Sequence, residues 1–243
     1  MQNISRYAGL VVGGLFLRTG DYEEMRQARS PFLTGLIIIV IVGVIVALAV
    51  LVGTTLEWAS SPSLADIQEV VYEGLIQMPW YQETLREEPG FDEIFRQQYD
   101  LGWTMARNFG ASNPGSALGG LVLTPLSLVI VWLVYGLLAH LFARLLKGEA
   151  TLAQTLGCTA LAVAPQVLKL AELVPFVAIG GVVATWTLIC RYVALKQAHR
   201  FTWNRAFWAT VLPLLALLLL GLFLAAIGVL VFGTLASVLL GGA

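Results

Sequence analysis

Charge is scarce in this chain. Asp, Glu, Lys and Arg make up 12% of the 243 residues, about half of the roughly 25% that a soluble domain carries, which is too little to cover a water-soluble core of this size. Cysteine and histidine are scarcer, with two of each: Cys158, Cys190, His140 and His199. Neither cysteine has a second Cys or His at ligand spacing, which argues against a disulfide framework and a zinc site. Both fall in apolar runs, where a thiol behaves as a small buried hydrophobe. Two histidines, both expected near one interface, supply no convergent set of groups for catalysis, so the chain reads as a non-enzyme. Repeats at solenoid periods, a glycine loop followed by Lys-Ser/Thr, and a basic patch interleaved with aromatics are missing, which argues against nucleic acid as a partner.

Long apolar runs take the place of these features: 58% of the residues are hydrophobic and the mean hydropathy is +0.82. Thr34 to Thr55 is uninterrupted Ile, Val and Leu, enough at ~1.5 Å per residue to cross a ~30 Å hydrocarbon layer, with Trp58 placed for the far interface. Leu118 to Leu146 is a second crossing that can kink near Pro125 and ends at Arg144 and Lys147. Thr151 to Leu168 and Leu173 to Leu195 form a hairpin of two more around Lys169 and Glu172, which read as an i,i+3 ion pair. Pro175 suits the first turn of the latter run, whereas Pro165 lies inside its own and frees the carbonyl near Leu161. A basic exit follows, with Arg191, Lys196, Arg200 and Arg205, and Trp203 and Trp208 as interface anchors. The last run, Ala206 to Ala243, is about 57 Å long as a straight helix, more than one crossing. It predicts one crossing and an apolar tail, or as the alternative two short half-crossings, with Pro213, Gly221, Gly228 and Gly233 as candidate breaks.

Two segments are polar. Near the start, Ala8 to Leu17 is too short to span and is followed by the charged stretch Asp21 to Arg29, which suits an interfacial segment lying at the headgroups. From Ser60 to Gly115 acidic residues dominate, against Arg86, Arg96 and Arg107. Two helices are predicted there, one capped by Ser63 with Leu64, Ile67, Val71 and Leu75 on one face, the other carrying Phe91, Ile94, Phe95 and Tyr99. Pro79 and Pro89-Gly90 punctuate them, and Trp80, Tyr81 and Trp103 enlarge the apolar faces, so the helices lie on the bilayer or fold over the bundle; a solvated loop is the alternative.

The fold class expected is therefore an all-α polytopic membrane protein of five transmembrane helices with an N-terminal interfacial segment and an extracytoplasmic amphipathic insertion. Its parts are residues 1–31 (interfacial), 32–56 (first crossing), 57–116 (acidic insertion) and 117–243 (a four-helix core with an apolar tail). Lys and Arg collect before the first crossing, at Arg144 and Lys147, and at Arg191 to Arg205, so the positive-inside rule places the N-terminus in the cytoplasm and, after five crossings, the C-terminus outside.

Within the spans, Gln154, Thr155, Thr159 and Gln166, with Thr185 and Thr187, either bond to adjacent helices or line a polar cavity beneath Pro165. His140 is an interfacial histidine bonded to water or a helix-end carbonyl, or alternatively a pigment ligand; His199 is a headgroup contact. Gly180-Gly181 and the glycines of the last run suit close helix packing.

The stretch Arg144-Leu-Leu-Lys-Gly148-Glu-Ala-Thr151-Leu-Ala-Gln154, the proline-interrupted Leu161-Ala-Val-Ala-Pro165 and the helix end Ala194-Leu-Lys-Gln-Ala-His199 together resemble the Yip1 family of integral membrane proteins, over about Leu118 to Leu230. The N-terminal interfacial segment and the amphipathic insertion also look similar to bacterial members, and the resemblance implies five helices with a cytoplasmic N-terminus. Trafficking and GTPase roles of eukaryotic relatives are not carried over. Three functions remain open: a non-enzymatic scaffold that organises membrane or recruits protein partners, an accessory subunit of an energy-transducing or photosynthetic complex, and a small channel or transporter using the kinked third helix with Gln154 and Gln166. The expected setting is a bacterial cytoplasmic membrane, with lipid and protein partners or a homo-oligomer, and no cofactor.

Overall fold

The computed structural model describes residues 2–60, 64–88, 90–106, 114–174 and 177–240, and the side chains of all of these except 2–4, 64, 114–117 and 232–240. Ser63, Pro89, Arg107 and Pro175 lie outside the described residues. Among those described every regular element is helical: α1 (Gln2–Leu15), α2 (Thr19–Gln27), α3 (Pro31–Ser60), α4 (Leu64–Ile76), α5 (Pro79–Glu87), α6 (Phe91–Met105), α7 (Pro114–Leu145), α8 (Leu152–Ala160) continued by a 3-10 segment (Leu161–Leu173), α9 (Gly180–His199) and α10 (Trp203–Leu240). Among the described residues four helices are long and apolar enough to cross a membrane: Pro31–Ser60, Leu118–Leu145, Leu152–Leu173 and Trp203–Val231. α9 is not among them, because Arg191, Lys196 and His199 dilute its apolar run.

α3 is the hub, packed against α7, α8 and the 3-10 segment. Lipid tails are as apolar as leucine, so helices in a bilayer gain little by hiding aliphatic surface from each other and associate through close backbone approach at small residues. The sequence places them on α3 and α8. A Cβ built on Gly43 would stand 2.7 Å from Pro125 Cα, and one on Gly157 would stand 2.6 Å from Pro31 Cβ. The expected packing role of Gly180-Gly181 is not met: nothing lies within 4 Å of a Cβ at either, nor at Gly221 or Gly228. Those glycines face open space, and the contacts they were expected to make fall to α3 and α8.

Pro165 acts four residues upstream of itself. It has no N–H to offer the Leu161 carbonyl and its ring crowds that carbonyl, so the α-helical ladder ends at Ala160 and the chain continues in tighter i→i+3 turns from Leu161. A kink was expected; a 13-residue change of helix type is found. α10, by contrast, runs 38 residues through Pro213 as one helix, so none of the expected breaks is used.

The N-terminal segment also departs from expectation. α1 and α2 form a hairpin turned at Leu17, whose φ is 57°, and closed by the Arg18 N–H on the Gly13 carbonyl at 2.8 Å. Beyond the expected place at the headgroups, it packs into the bundle, with Leu10, Tyr22 and Met25 fully buried. The insertion holds three helices where two were expected, because Pro79 opens a short extra one at its first position. Their aromatic faces close on each other: Tyr81 is buried among Trp80, Phe91 and Phe95, and Tyr72 and Tyr81 both donate to the Asp92 carboxylate. Exposed on the outside of this layer are Val70, Ile94, Leu101 and Met105.

Candidate functional site

The polar residues singled out in the spans separate into two groups. The first forms where α7 hands over to α8. Lys147, at φ 63°, turns the chain and the Gly148 N–H closes the end of α7 on the Ala143 carbonyl at 2.8 Å. Thr151 and Gln154 then make a reciprocal capping box that starts α8. The Gln154 amide also donates to the Arg26 carbonyl at 3.3 Å, tying α8 to α2.

One turn further, the Thr155 hydroxyl lies 2.9 Å from His140 Nδ1 and 2.9 Å from His199 Nε2. The Ala150 N–H donates to His199 Nδ1 at 3.2 Å, so that nitrogen is an acceptor. A neutral imidazole carries one proton, which then sits on Nε2 and is donated to Thr155. His199 is 1% exposed and stacked on Phe201, so it is a buried three-helix joint and the expected headgroup contact is corrected. The α7 and α9 segments meet here because Gly148 admits the imidazole: a Cβ at that position would strike the His199 ring. His140 bonds to a side-chain hydroxyl in place of the expected water or helix-end carbonyl.

The second group lies deeper. Thr159, Gln166, Thr187 and Arg191 line a cavity of about 70 Å³ together with Trp132, Tyr135 and aliphatic side chains of α3 and α7. Gln154 and Thr155 are not part of it. Thr159 donates to the Thr155 carbonyl at 2.8 Å, whereas the buried Thr187 Oγ1 has no hydrogen-bond partner. Arg191, expected as an interface anchor, lays its guanidinium 4.0 Å from the centre of the Tyr135 ring on α7. Its position inside the run Leu173 to Leu195, rather than after it, was the available signal. Thr185 is exposed and bonds to the Gly181 carbonyl.

The other residues expected as interface anchors are at or near the surface. Trp58, Trp203 and Trp208 are exposed, Lys196 sits 4.4 Å from the Trp203 ring, and Arg144 donates to the Gly148 carbonyl. Glu172 does not show the expected pairing with Lys169; its carboxylate accepts the Ile179 N–H at 3.4 Å, just ahead of α9.

The N-terminal hairpin is stitched on by donors from α8 and α9. Trp186 Nε1 donates to the Leu15 carbonyl at 2.8 Å, and the thiols of Cys158 and Cys190 point at the carbonyls of Tyr22 and Gly14. Both cysteines are free and buried. On the outer face of α2, Glu23 receives two hydrogen bonds from Arg26, one from Gln27 and the field of Arg200, which hold its carboxyl down at about 2. Among the described residues no three His, Cys, Asp or Glu side chains stand together to hold a metal ion.

Apolar helices of membrane-crossing length, glycine-mediated packing and buried polar joints define an integral, all-helical membrane protein that lives in a lipid bilayer. A family model described as the Yip1 domain matches residues 13–225, and the chain belongs to that family. The match starts at Gly13, so it takes in the seated hairpin turn, the first span and the insertion as well as the later helices. No curated protein and no solved structure matches the chain.

Proposed function

We propose that the protein is a non-enzymatic membrane scaffold that organises the bilayer or recruits partner proteins. The observation that carries this reading is how the polar side chains of the first group are used: Gln154, Thr155, His140 and His199 are engaged in holding α2, α7, α8 and α9 to one another. Such bonds build a rigid body and leave its outer surface to interact. The outer surface offers Val70, Ile94 and Leu101 on the insertion, exposed at 68%, 63% and 49% while the aromatic faces of the same helices close inward. In this reading α9 is the fifth crossing, the N-terminus is cytoplasmic and the C-terminus outside, in a bacterial inner membrane, and no cofactor takes part.

The test is extraction of the tagged chain in mild detergent, followed by size analysis, absorption spectroscopy and mass spectrometry, alongside the variant V70S/I94S/L101S. The expected result is a colourless assembly with protein or lipid that shrinks in the triple variant while the thermal midpoint of the bundle stays put. A pigmented complex unaffected by the substitutions would contradict the scaffold and favour the accessory-subunit role.

A further inference from the structure

Three side chains with unengaged donors face one cavity. The Arg191 guanidinium has the Tyr135 ring as its partner, and among the described residues no carboxylate stands within 4 Å of it. Gln166 and Thr187 line the same space, and Thr187 Oγ1 is buried without a partner. Arg191 is eight residues from His199, about 12 Å along α9, so this charge lies well inside the helix and away from its basic end. A cation at such depth is costly unless an opposite charge or a hydrogen-bonded acceptor meets it. A ring face offsets part of that cost and supplies no acceptor for the five guanidinium N–H groups.

We propose that this cavity binds the phosphate of an anionic membrane lipid. Donors outnumber acceptors, which selects an anion, and a planar guanidinium beside an amide and a hydroxyl matches the several oxygens of a phosphate. The volume, about 70 Å³ against the roughly 10–15 Å³ that one water needs on the same measure, leaves room for one compact oxyanion group. The way in is from the hydrocarbon: Val131, which lines the cavity, is 53% exposed on the membrane-crossing part of α7, and Leu128 stands beside it. An acyl chain can lie along that aliphatic wall while the phosphate reaches Arg191. This site goes beyond the scaffold reading and stands whether or not that reading holds.

The test uses the full-length chain in nanodiscs of phosphatidylcholine with or without phosphatidylglycerol, with bound lipid counted by native mass spectrometry and the thermal midpoint recorded. Wild type is expected to retain phosphatidylglycerol selectively and gain thermal stability from it. R191Q should weaken retention about tenfold or more, and R205Q, at an exposed position on α10, should leave it unchanged. If R191Q does not fold, Q166L/T187V, which keeps the charge, decides: a tenfold loss supports the site and unchanged retention overturns it. Equal retention by wild type and R191Q, or equal loss in R205Q, also overturns it. Inorganic phosphate stabilising the protein in pure phosphatidylcholine as well as phosphatidylglycerol does would show a free-anion site and overturn the lipid assignment.

Discussion

At the residue scale, a single hydroxyl joins three helices. Thr155 receives the His199 Nε2–H and meets His140, so T155V leaves a buried imidazole donor without an acceptor at nearly unchanged volume. The expected cost is about 1–3 kcal/mol, read as a lowered unfolding midpoint in nanodiscs, with T155S restoring most of it. A T155V protein as stable as wild type would show that the joint contributes nothing. Glu23 gives a pH signature. Its carboxyl is held down at about 2 by Arg26 first and Gln27 next, below the ordinary carboxylate value near 4.3. A depressed folded-state value means the contribution is present above about pH 4.3 and is lost as pH falls toward 2. Because the group is partly exposed the effect is small, and E23Q should remove that part of the acid sensitivity of hairpin docking, measured by protease protection of residues 2–27.

At the scale of elements, the helix-type change at Leu161 lengthens the third span. Thirteen residues cover about 26 Å as a 3-10 helix and about 20 Å as an α-helix, so the segment gains roughly 6 Å and delivers Glu172 to the start of α9. P165A, which restores the missing N–H, should shorten the distance between spin labels at Ala153 and Ala171 by several ångströms; an unchanged distance would mean that packing, not proline, sets the 3-10 geometry. The α3–α7 seam makes a separate prediction. G43L puts a side chain where Pro125 ring and backbone stand, and should cost at least about 1–3 kcal/mol in thermal unfolding, whereas G181A, with open space around it, should leave the midpoint unchanged.

The same comparison shows what could be read from residues alone. Pro165 and the carbonyl it frees were legible because proline chemistry is local. The apolar runs were legible because length and composition decide whether a segment can cross lipid. His199 was misread as a headgroup contact because its burial depends on Gly148 and Ala150, about fifty positions away, coming back beside it. The burial of Tyr22 and Met25 was not legible either: the charges around them suit an interface, and only the bundle decides that their side of α2 is covered. Arg191 looked like an anchor since basic residues end spans, and its pairing with Tyr135 across α7 has no counterpart in local sequence.

At the scale of the whole molecule, the chain is a Yip1-family membrane protein whose first group of interior polar residues holds helices together and whose outer helical layer turns aromatics inward and aliphatics outward. On the proposed scaffold reading, that division gives the work to the surface. The most direct measurement is site-specific photo-crosslinking in the native membrane from Ile94, on the exposed apolar face of α6, compared with Glu87, an exposed polar position at the end of α5. The scaffold account predicts a discrete adduct with protein or lipid at Ile94 and none at Glu87; the same empty result at both positions would contradict it.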